Sequence, residues 1–447
     1  MSKHILLVVL DSVRADHVSA YGYARETTPT IDHLARDGML FEDAHATSSW
    51  TKPSVASLLT GLYPCQHGVV RGMKRIKERG SATTDALAPG IATLAQCLTS
   101  ASRNCAAFLN NVQLDKVAGL HRGFDTYVSE TGDADAMLDR WRSWLVQRLD
   151  GPTFSYLHFM ETHWPYEPRR RHVALFGGDR DQSRFRDFSA RDFGQLRKAL
   201  HRGTAELSPD ELTDMVRLYD AAIRRLDGKV KLLLRSLDEL GLGSDTTLVI
   251  TADHGEEFME HGAIGHGHML FREVTHVPLV AWGPGLPAGT RRGAPVSLVD
   301  LPATIAALAG ANDKCSGGNL LDTDRGQTSP VFAELTTGTR HTQMLYRPPW
   351  RVYRQEQGAR SGRSEFSPED CGDENKSLQF QVFNLHDDPH EKHDLVCANP
   401  SGDQVKSAIA PLNELRARLR GETSGQAATA ELDAAVVERI RALGYLE

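Results

Sequence analysis

The sequence contains no apolar run long enough to span a membrane. A helix needs about 20 apolar residues to cross a bilayer, whereas the N-terminal run Ile5–Leu10 ends at Asp11. This run is also shorter than the ~7–15 apolar residues of a signal-peptide core, and no small-residue cleavage site follows it. We therefore predict a protein without a membrane anchor.

Cysteine is scarce and widely spaced. Six cysteines occur in 447 residues, with no CxxC pair, at positions 65, 97, 105, 315, 371 and 397. This spacing excludes a disulfide-dense secreted scaffold. Free thiols are typical of a reducing compartment, so the sequence predicts a cytoplasmic location.

The chain also lacks a basic excess. Its 51 lysines and arginines face 58 acidic residues, which gives a formal net charge of -7. Binding to a nucleic-acid polymer depends on positive charge, so we do not expect that partner. The content of 40% hydrophobic and 24% charged residues is typical of a globular protein. The length is sufficient for roughly two to three domains.

What the sequence does contain is a regular alternation of short apolar runs and amphipathic stretches, which predicts an α/β fold. The apolar runs predict buried strands, at Ile5–Leu10, Asn104–Leu109, Thr153–Met160, Thr247–Thr251 and Val277–Trp282. Apolar residues at steps of three or four predict a long helix over Leu212–Leu240. A further helix is predicted over Val299–Leu308 and would end before Gly310.

Other segments interrupt the alternation. From Pro168 to Arg202 there are nine arginines and one lysine among scattered aromatic residues. This segment is either a solvated insertion or a basic lid over an anionic substrate. From Gln355 to Ser377 the chain is polar and contains glycine, which predicts a mobile loop. The stretch Glu431–Leu443 has the pattern of a terminal helix.

Chemically active residues follow two of the predicted strands and precede one helix. Asp11 ends the first strand, where ligands of open α/β sheets gather, although such an aspartate is often a simple cap. Pro53 and Gly61 suit the beginning and end of a helix, which would place Thr51 just before the helix N-terminus. The Thr51 hydroxyl would then be either a helix cap or a nucleophile.

Histidines and an aspartate cluster after the strand that ends at Thr251. Asp253 and His254 are adjacent metal-ligand types, and His261, His266 and His268 follow in a glycine-rich loop. This density favours a metal site over packed histidines. His163, before Trp-Pro at the end of another apolar run, is either a residue of the site or a packed loop histidine.

Together these motifs resemble the sulfatase family of the alkaline phosphatase superfamily. The matching segments follow the family's order along nearly the whole chain: the strand ending at Asp11, Tyr21-Gly22-Tyr23, Pro53 to Gly61, Tyr63-Pro64 with His67-Gly68, His163, Asp253-His254-Gly255, His261-Gly262, Val277-Pro278-Leu279, and Phe383-Asn384-Leu385 with Asp388-Pro389, Glu391 and Asp394-Leu395. The resemblance implies a mixed central sheet flanked by helices in residues 1–330, with 165–205 as an Arg-rich insertion or lid. A smaller C-terminal subdomain with an antiparallel sheet and a terminal helix would occupy residues 331–447.

The departures from the family pattern concern its central chemistry. True sulfatases carry a Cys or Ser that is oxidised to formylglycine, and this position is Thr51. A secondary alcohol yields only a ketone, so the formylglycine route is closed. Val55 replaces the arginine that steadies the aldehyde hydrate, and Ser12 replaces the second acid of an Asp-Asp pair. His254 stands in the place of an asparagine and His266 in that of a sulfate-binding lysine.

The remaining polar residues resemble the ligand types of related phosphatases, nucleotide pyrophosphatases and phospho-headgroup transferases. The resemblance implies one Zn²⁺ or Mn²⁺ ion, rather than Ca²⁺, held by Asp11, Thr51, Asp253 and His254. An imidazole and a hydroxyl in place of an amide and a carboxylate soften the site away from calcium's all-oxygen preference.

Three further residues complete the predicted site. His163 and His266 would bind the ester oxygens or protonate the leaving group, and Lys52 would add positive charge to substrate binding. Alternatively, Glu161 with the two histidines would hold a second metal ion.

The resulting hypothesis is a hydrolase of phosphate mono- or diesters that acts on a small anionic ester through a covalent phospho-threonine at Thr51. The alternatives are a sulfatase without formylglycine, a phospho-group transferase and a non-catalytic binding homologue.

Overall fold

The computed structural model describes residues 2–72, 74–76, 81–130, 132–311, 315–322, 330–357, 377–421, 427–432 and 436–437. The predicted mobile loop falls mostly outside this part of the chain, as do Cys371 and most of the predicted terminal helix. The first residues of that predicted helix, Glu431 and Leu432, are instead in a strand. No described helix combines the length and the apolar character that a membrane span requires.

The described strands are, in chain order, β1 (His4–Leu10), β2 (Met39–Phe41), β3 (Ala44–His45), β4 (Lys74–Ile76), β5 (Ser81–Ala86), β6 (Asn104–Leu109), β7 (Thr126–Val128), β8 (Thr153–Phe159), β9 (Thr246–Thr251), β10 (Glu257–Phe258), β11 (Ile264–Gly265), β12 (His276–Val277), β13 (Leu279–Trp282), β14 (Thr290–Arg292), β15 (Val296–Ser297), β16 (Val331–Thr337), β17 (Arg340–Arg347), β18 (Trp350–Gln357), β19 (Ser377–Asn384) and β20 (Ala428–Leu432). The described α-helices are α1 (Pro29–Asp37), α2 (Thr51–Thr60), α3 (Pro64–His67), α4 (Leu94–Thr99), α5 (Ala134–Val146), α6 (Arg170–Ala174), α7 (Ala190–His201), α8 (Pro209–Glu239), α9 (Arg272–Thr275), α10 (Leu301–Leu308), α11 (Leu395–Ala398) and α12 (Asp403–Gly421).

The largest sheet has eight strands in the order β14-β2-β13-β9-β1-β8-β6-β7. Strands β9, β1, β8 and β6 run parallel to one another, whereas β13 is antiparallel to β9. The parallel strands are buried nearly throughout, as expected for strands covered on both faces. The predicted mixed α/β fold is therefore confirmed.

One predicted strand is divided in two. The run Val277–Trp282 was expected to be continuous, but Pro278 separates β12 from β13. Strand β12 pairs with β3, and β13 pairs with β9. Proline has no N–H to donate to a ladder, so the chain changes sheets at this residue.

The predicted helices form with small shifts at their starts. The long helix α8 begins at Pro209, after Ser208, whose hydroxyl accepts from the N–H of Glu211. This capping arrangement places the start three residues before the predicted one. The helix predicted over Val299–Leu308 begins as a 3₁₀ turn and becomes α10 at Leu301.

A second sheet lies after residue 330. Strands β16, β17, β18 and β19 form an antiparallel sheet in sequence order, and helix α12 packs against it through Leu412 and Leu415. The last described strand, β20, leaves this region and pairs antiparallel with β5. The C-terminal part is thereby joined to the N-terminal part by main-chain hydrogen bonds.

The Arg-rich segment contains regular structure. It includes α6 and α7, and α6 packs on α8. Phe193 of α7 stacks on Trp164 with ring centroids 4.2 Å apart. The segment is thus attached by apolar contacts close to the loop that carries His163.

Candidate active site

The candidate site lies at the carboxyl ends of four neighbouring parallel strands. Asp11 follows β1, Asp253 follows β9, Asn111 follows β6, and His158 is near the end of β8. Loops beyond the carboxyl ends of parallel strands form the usual ligand site of open α/β sheets. The order of the strands therefore brings together residues that are up to 242 positions apart in the sequence.

Asp11 is the most heavily bonded residue of the site. One carboxylate oxygen, Oδ2, accepts from His158 Nε2 at 3.0 Å and from Asn111 Nδ2 at 3.1 Å. The other, Oδ1, accepts from the hydroxyl of Ser12 at 2.7 Å. Burial opposes ionisation, but the hydrogen bond from His158 and the nearby histidines hold the pKa of Asp11 below its usual range. Asp11 is therefore an anion fixed in orientation.

Asp253 faces Asp11 and is incompletely bonded. Its Oδ1 accepts from the main-chain N–H groups of Ser12 at 3.2 Å and His254 at 3.0 Å. Its Oδ2 is buried and has no hydrogen-bond donor among the described residues. Burial and the negative charge of Asp11 raise the pKa of Asp253. Two buried carboxylates so arranged require a compensating positive charge or a proton.

Two histidines at the site are oriented by different partners. His254 Nδ1 lies 2.9 Å from the carbonyl oxygen of Gly255, to which it donates. The other ring nitrogen of His254, Nε2, then faces Asp253 Oδ2 at 3.5 Å and Asp11 Oδ1 at 4.0 Å. His158 has the opposite arrangement, since its Nε2–H donates to Asp11 and its Nδ1 lies 2.7 Å from the Tyr156 hydroxyl.

Thr51 is the first residue of α2, and Trp50 is its cap. Thr51 was predicted to lie just before the helix, and this is wrong, because the helix begins at Thr51, two residues ahead of Pro53. Thr51 Oγ1 lies 3.3 Å from His254 Nε2 and 3.5 Å from Asp11 Oδ2. Thr51 is 4% exposed. Its hydroxyl is thus at the N-terminus of a buried helix, where negative charge is stabilised.

The residues present fit a divalent cation. Oxygen atoms of Asp11 and Asp253, the His254 nitrogen and the Thr51 hydroxyl face one another, and Asp253 Oδ2 lacks a donor. Ligand atoms of Asp11, His158 and Asp253 also lie within 4.8 Å of one another. A mixed oxygen and imidazole set of this kind suits Zn²⁺ or Mn²⁺.

A second histidine layer lies beside the first. The ring of His266 is 4.3 Å from that of His254 and 5.3 Å from that of His163, measured between centroids. His266 Nδ1 is 3.2 Å from Glu256 Oε1. Burial lowers the pKa of His266 and raises that of Glu256 to about 7. The predicted pair His163 and His266 is thus brought to the site.

Other predicted site residues lie elsewhere. Lys52 is fully buried, and its ammonium contacts the Thr84 hydroxyl. Burial lowers the pKa of Lys52 to about 8. The Lys52 side chain therefore extends from α2 towards β5, which contains Thr84. A role of Lys52 in substrate binding stays a prediction.

The alternative second metal site is also not assembled. Glu161 Oε1 accepts from the main-chain N–H of Ala134 at 3.0 Å, at the start of α5. Among the described ranges, no cluster of potential metal ligands joins Glu161 to His163 and His266. The carboxylate caps a helix instead.

Two loop histidines serve other contacts. His261 Nε2 is 3.3 Å from Glu273 Oε2, and His268 Nε2 is 2.7 Å from Glu257 Oε2. Of the three histidines in the glycine-rich loop, His266 is the one whose ring is beside His254.

Sequence reasoning missed four polar residues near the site. They are Asn111, Tyr156, His158 and Glu256. His158 is inside an apolar strand and was indistinguishable from a packed core histidine. Its registration beside Val9, two residues before Asp11, is the relation that places it at the site. Asn111 carried a weaker signal, since it follows a predicted strand by two residues.

Comparisons with known proteins agree with this architecture. The Sulfatase family model matches residues 3–311. The chain is 25% identical to the multifunctional alkaline phosphatase superfamily protein PehA of Trinickia caryophylli, over 91% of this chain and 93% of that protein. It is 25% identical to arylsulfatase A of Bos taurus, over 77% of this chain and 70% of that protein.

Solved structures share the fold. A phosphonate monoester hydrolase of Agrobacterium radiobacter superposes with a TM-score of 0.70 at 19% identity, covering 93% of this chain and 96% of that one. A protein in complex with its substrate D-glucosamine-2-N,6-O-disulfate superposes with a TM-score of 0.72 at 16% identity, covering 95% and 99%.

Proposed function

The chain belongs to the sulfatase family, and from this premise we propose that it is a metal-dependent hydrolase of phosphate mono- or diesters with Thr51 as its nucleophile. The observation that carries the proposal is the Thr51 hydroxyl at the start of α2, 3.3 Å from His254 Nε2 and 3.5 Å from Asp11 Oδ2. The family and its relatives indicate an ester hydrolase. The residue at the nucleophile position favours phosphate over sulfate.

The preference for phosphate follows from the side chain. Oxidation of a threonine gives a ketone and not the aldehyde from which formylglycine chemistry proceeds. Val55 is buried and apolar, so it offers no charge to an aldehyde hydrate. The relative described as a multifunctional alkaline phosphatase superfamily protein supports a wider choice of esters than sulfate alone.

In the proposed reaction Thr51 loses its hydroxyl proton to solvent, and Oγ1 forms a bond to phosphorus. The bond from phosphorus to the leaving oxygen breaks, its electron pair stays with that oxygen, and His163 supplies a proton to it. His266, whose pKa is lowered by burial, would bind a phosphoryl oxygen instead. Water then attacks phosphorus and gives one proton back to His163, while the bond from phosphorus to Oγ1 breaks and its electron pair returns to Thr51. The N-terminus of α2 stabilises the phosphoryl oxygens during both steps.

Asp11, Asp253, His254 and Thr51 would hold the metal ion, which we propose to be Zn²⁺ or Mn²⁺. When bound, the ion supplies positive charge that lowers the pKa of the threonine hydroxyl and stabilises the anionic phosphoryl group. His158 and Asn111 keep the carboxylate of Asp11 in place by direct hydrogen bonds.

Sulfate-ester hydrolysis without formylglycine is the second candidate, because relatives such as arylsulfatase A bear that activity in their names. Rates on aryl phosphate monoester, aryl phosphodiester and aryl sulfate, measured with the metal content of the same preparation, separate the two. We expect Zn or Mn with the highest kcat/KM on a phosphate ester. Calcium together with faster sulfate hydrolysis would contradict the proposal. Turnover that depends on an added acceptor would indicate a transferase. A preparation with neither metal nor turnover would indicate a binding protein.

His158 is expected to position Asp11. Replacing His158 by leucine removes the Nε2–H donor, and we expect kcat/KM to fall about 10- to 100-fold together with metal affinity. Tyr156→Phe should have a smaller effect, because the phenol contacts the distal ring nitrogen. Kinetics and metal titration of both variants test this order.

The matched control is His4→Leu. His4 is equally buried and bonds Thr153 Oγ1 at 2.9 Å, at the opposite end of the same sheet. This variant should leave metal affinity unchanged. Wild-type metal affinity in His158→Leu would contradict the positioning role.

The cysteines support the proposed cytoplasmic location. The five thiols in the described part of the chain, at Cys65, Cys97, Cys105, Cys315 and Cys397, form no disulfide with one another. Such thiols persist in a reducing compartment.

A further inference from the structure

A cleft of about 640 Å³ lies beside the candidate site. Its walls are α7, the loop between β11 and α9, and the edge of the C-terminal sheet. Arg197 and Lys198 line one side, Gly267 and His268 another, and Arg340 and Phe383 a third. The volume is that of a site for a small organic molecule.

The cleft begins close to the nucleophile. The N–H of Gly267 donates to the carbonyl of Ser49 at 2.9 Å, two residues before Thr51. His266, next in sequence to this lining glycine, has its ring 4.3 Å from that of His254. The loop from His266 to His268 thus connects the candidate site with the cleft.

Two guanidinium groups converge on this loop. Arg197 donates to the carbonyl of His266, and Arg340 donates to the carbonyl of His268, each at 3.1 Å. These carbonyls are two residues apart, so the two arginines approach a segment at most about 7 Å long. Neither arginine forms an ion pair with a carboxylate in the described part of the chain. A guanidinium has five N–H donors, and one carbonyl leaves most of them available.

The acidic residues of the cleft are already engaged. Glu260 pairs with Arg14, and Glu391 pairs with Arg351 at 3.2 Å. Asp394 accepts from the main-chain N–H groups of Val382 and Val396. The unpaired charge near the loop is thus positive, carried by the two arginines.

We propose that this cleft binds a second anionic group of the substrate, a carboxylate, sulfate or phosphate on the same molecule as the reacting ester, through Arg197 and Arg340. The substrate class is then an ester that carries at least two anionic groups. The reaction in this inference is that of the proposed function, whereas binding of the second anionic group does not depend on that reaction. Planar guanidinium groups recognise carboxylate and phosphate oxygens by paired hydrogen bonds.

The test uses aryl phosphodiesters with one nitrophenyl group and one alkyl tail of graded length. The tail ends in a carboxylate, a phosphate or a neutral methyl ester. We expect wild type to prefer an anionic tail by about tenfold or more in kcat/KM, as a charge-assisted hydrogen bond provides. The preference should fall in Arg197→Gln and Arg340→Gln, vanish in the double variant, and weaken with added salt.

Arg191→Gln is the matched control, because Arg191 is exposed on the same helix and does not line the cleft. It should keep the preference. If a glutamine variant does not fold, Arg197→Lys and Arg340→Lys replace it in the test. These lysine variants should retain part of the preference for an anionic tail. Equal kcat/KM for anionic and neutral tails in wild type would overturn the inference.

A calorimetric measurement separates this inference from the proposed function. If no phosphodiester is hydrolysed, the proposed function is wrong, but the carboxylate-tailed ester should still bind wild type more tightly than the double arginine variant. If the neutral ester is hydrolysed and the tail makes no difference to binding or rate, the proposed function survives and the cleft proposal does not.

Discussion

Replacing Thr51 by alanine is expected to lower kcat/KM at least about 10³-fold, because loss of a covalent nucleophile leaves only binding and charge stabilisation. The fold should remain, since the change removes only a hydroxyl and a methyl group at the first residue of α2. Steady-state rates on the best aryl ester, with circular dichroism of the same sample, measure both effects. Rapid acid quench of wild type should also yield the Thr51 peptide with one phosphoryl group added.

The controls for this variant come from the same helix. Thr60 is also buried in α2, but its hydroxyl donates to the carbonyl of Ala56, away from the site. Thr60→Ala should lose some stability and keep most of its activity. Thr51→Ser should stay active, with its unmodified side chain verified by mass spectrometry. Retained turnover in Thr51→Ala would eliminate the threonine nucleophile.

Asp253→Asn is expected to produce two opposite effects. In the presence of chelator the variant should be more stable to heat than wild type, since it removes one of two facing buried carboxylates. With Zn²⁺ or Mn²⁺ added, wild type should gain far more stability, and its kcat/KM should exceed that of the variant at least about 10²-fold. Thermal melting with and without metal, combined with elemental analysis, measures each effect.

Asp227→Asn is the matched control for removing a buried carboxylate. Asp227 is also buried, but it accepts from the main-chain N–H groups of Thr30 and Ile31 at the start of α1. It should lose stability in both conditions and keep the stabilisation by metal. Equal stabilisation of Asp253→Asn and wild type by metal would mean that Asp253 is not a ligand.

The strands could be predicted because their apolar runs are nearly uninterrupted. In a sheet covered on both faces, burial and strand formation give the same signal in the sequence, as at Asn104–Leu109. The break at Pro278 could have been predicted, since proline cannot join a central ladder. The pairing of β20 with β5 could not be predicted, because the two segments are far apart in the sequence.

The site was predictable where chemistry marks the end of a strand. Asp11, Thr51, Asp253 and His254 come together as the family resemblance implies. The contact of Lys52 with Thr84 could not be predicted, because it depends on how α2 packs against β5.

His158 was missed for the opposite reason. Apolar neighbours suggested a packed histidine, and its role depends on strand register. Local pattern thus identifies reactive residues, and the residues that orient them become visible through tertiary contacts.

The pairing of β20 with β5 has a consequence for how the protein is made. Strand β20 leaves the ribosome more than 300 residues after β5. At about 5–20 residues per second, that edge of β5 waits roughly 20 s to a minute for its neighbour. Its main-chain groups stay available to other chains during that time. This small sheet therefore cannot be completed until the C-terminal part that contains β20 has been synthesised.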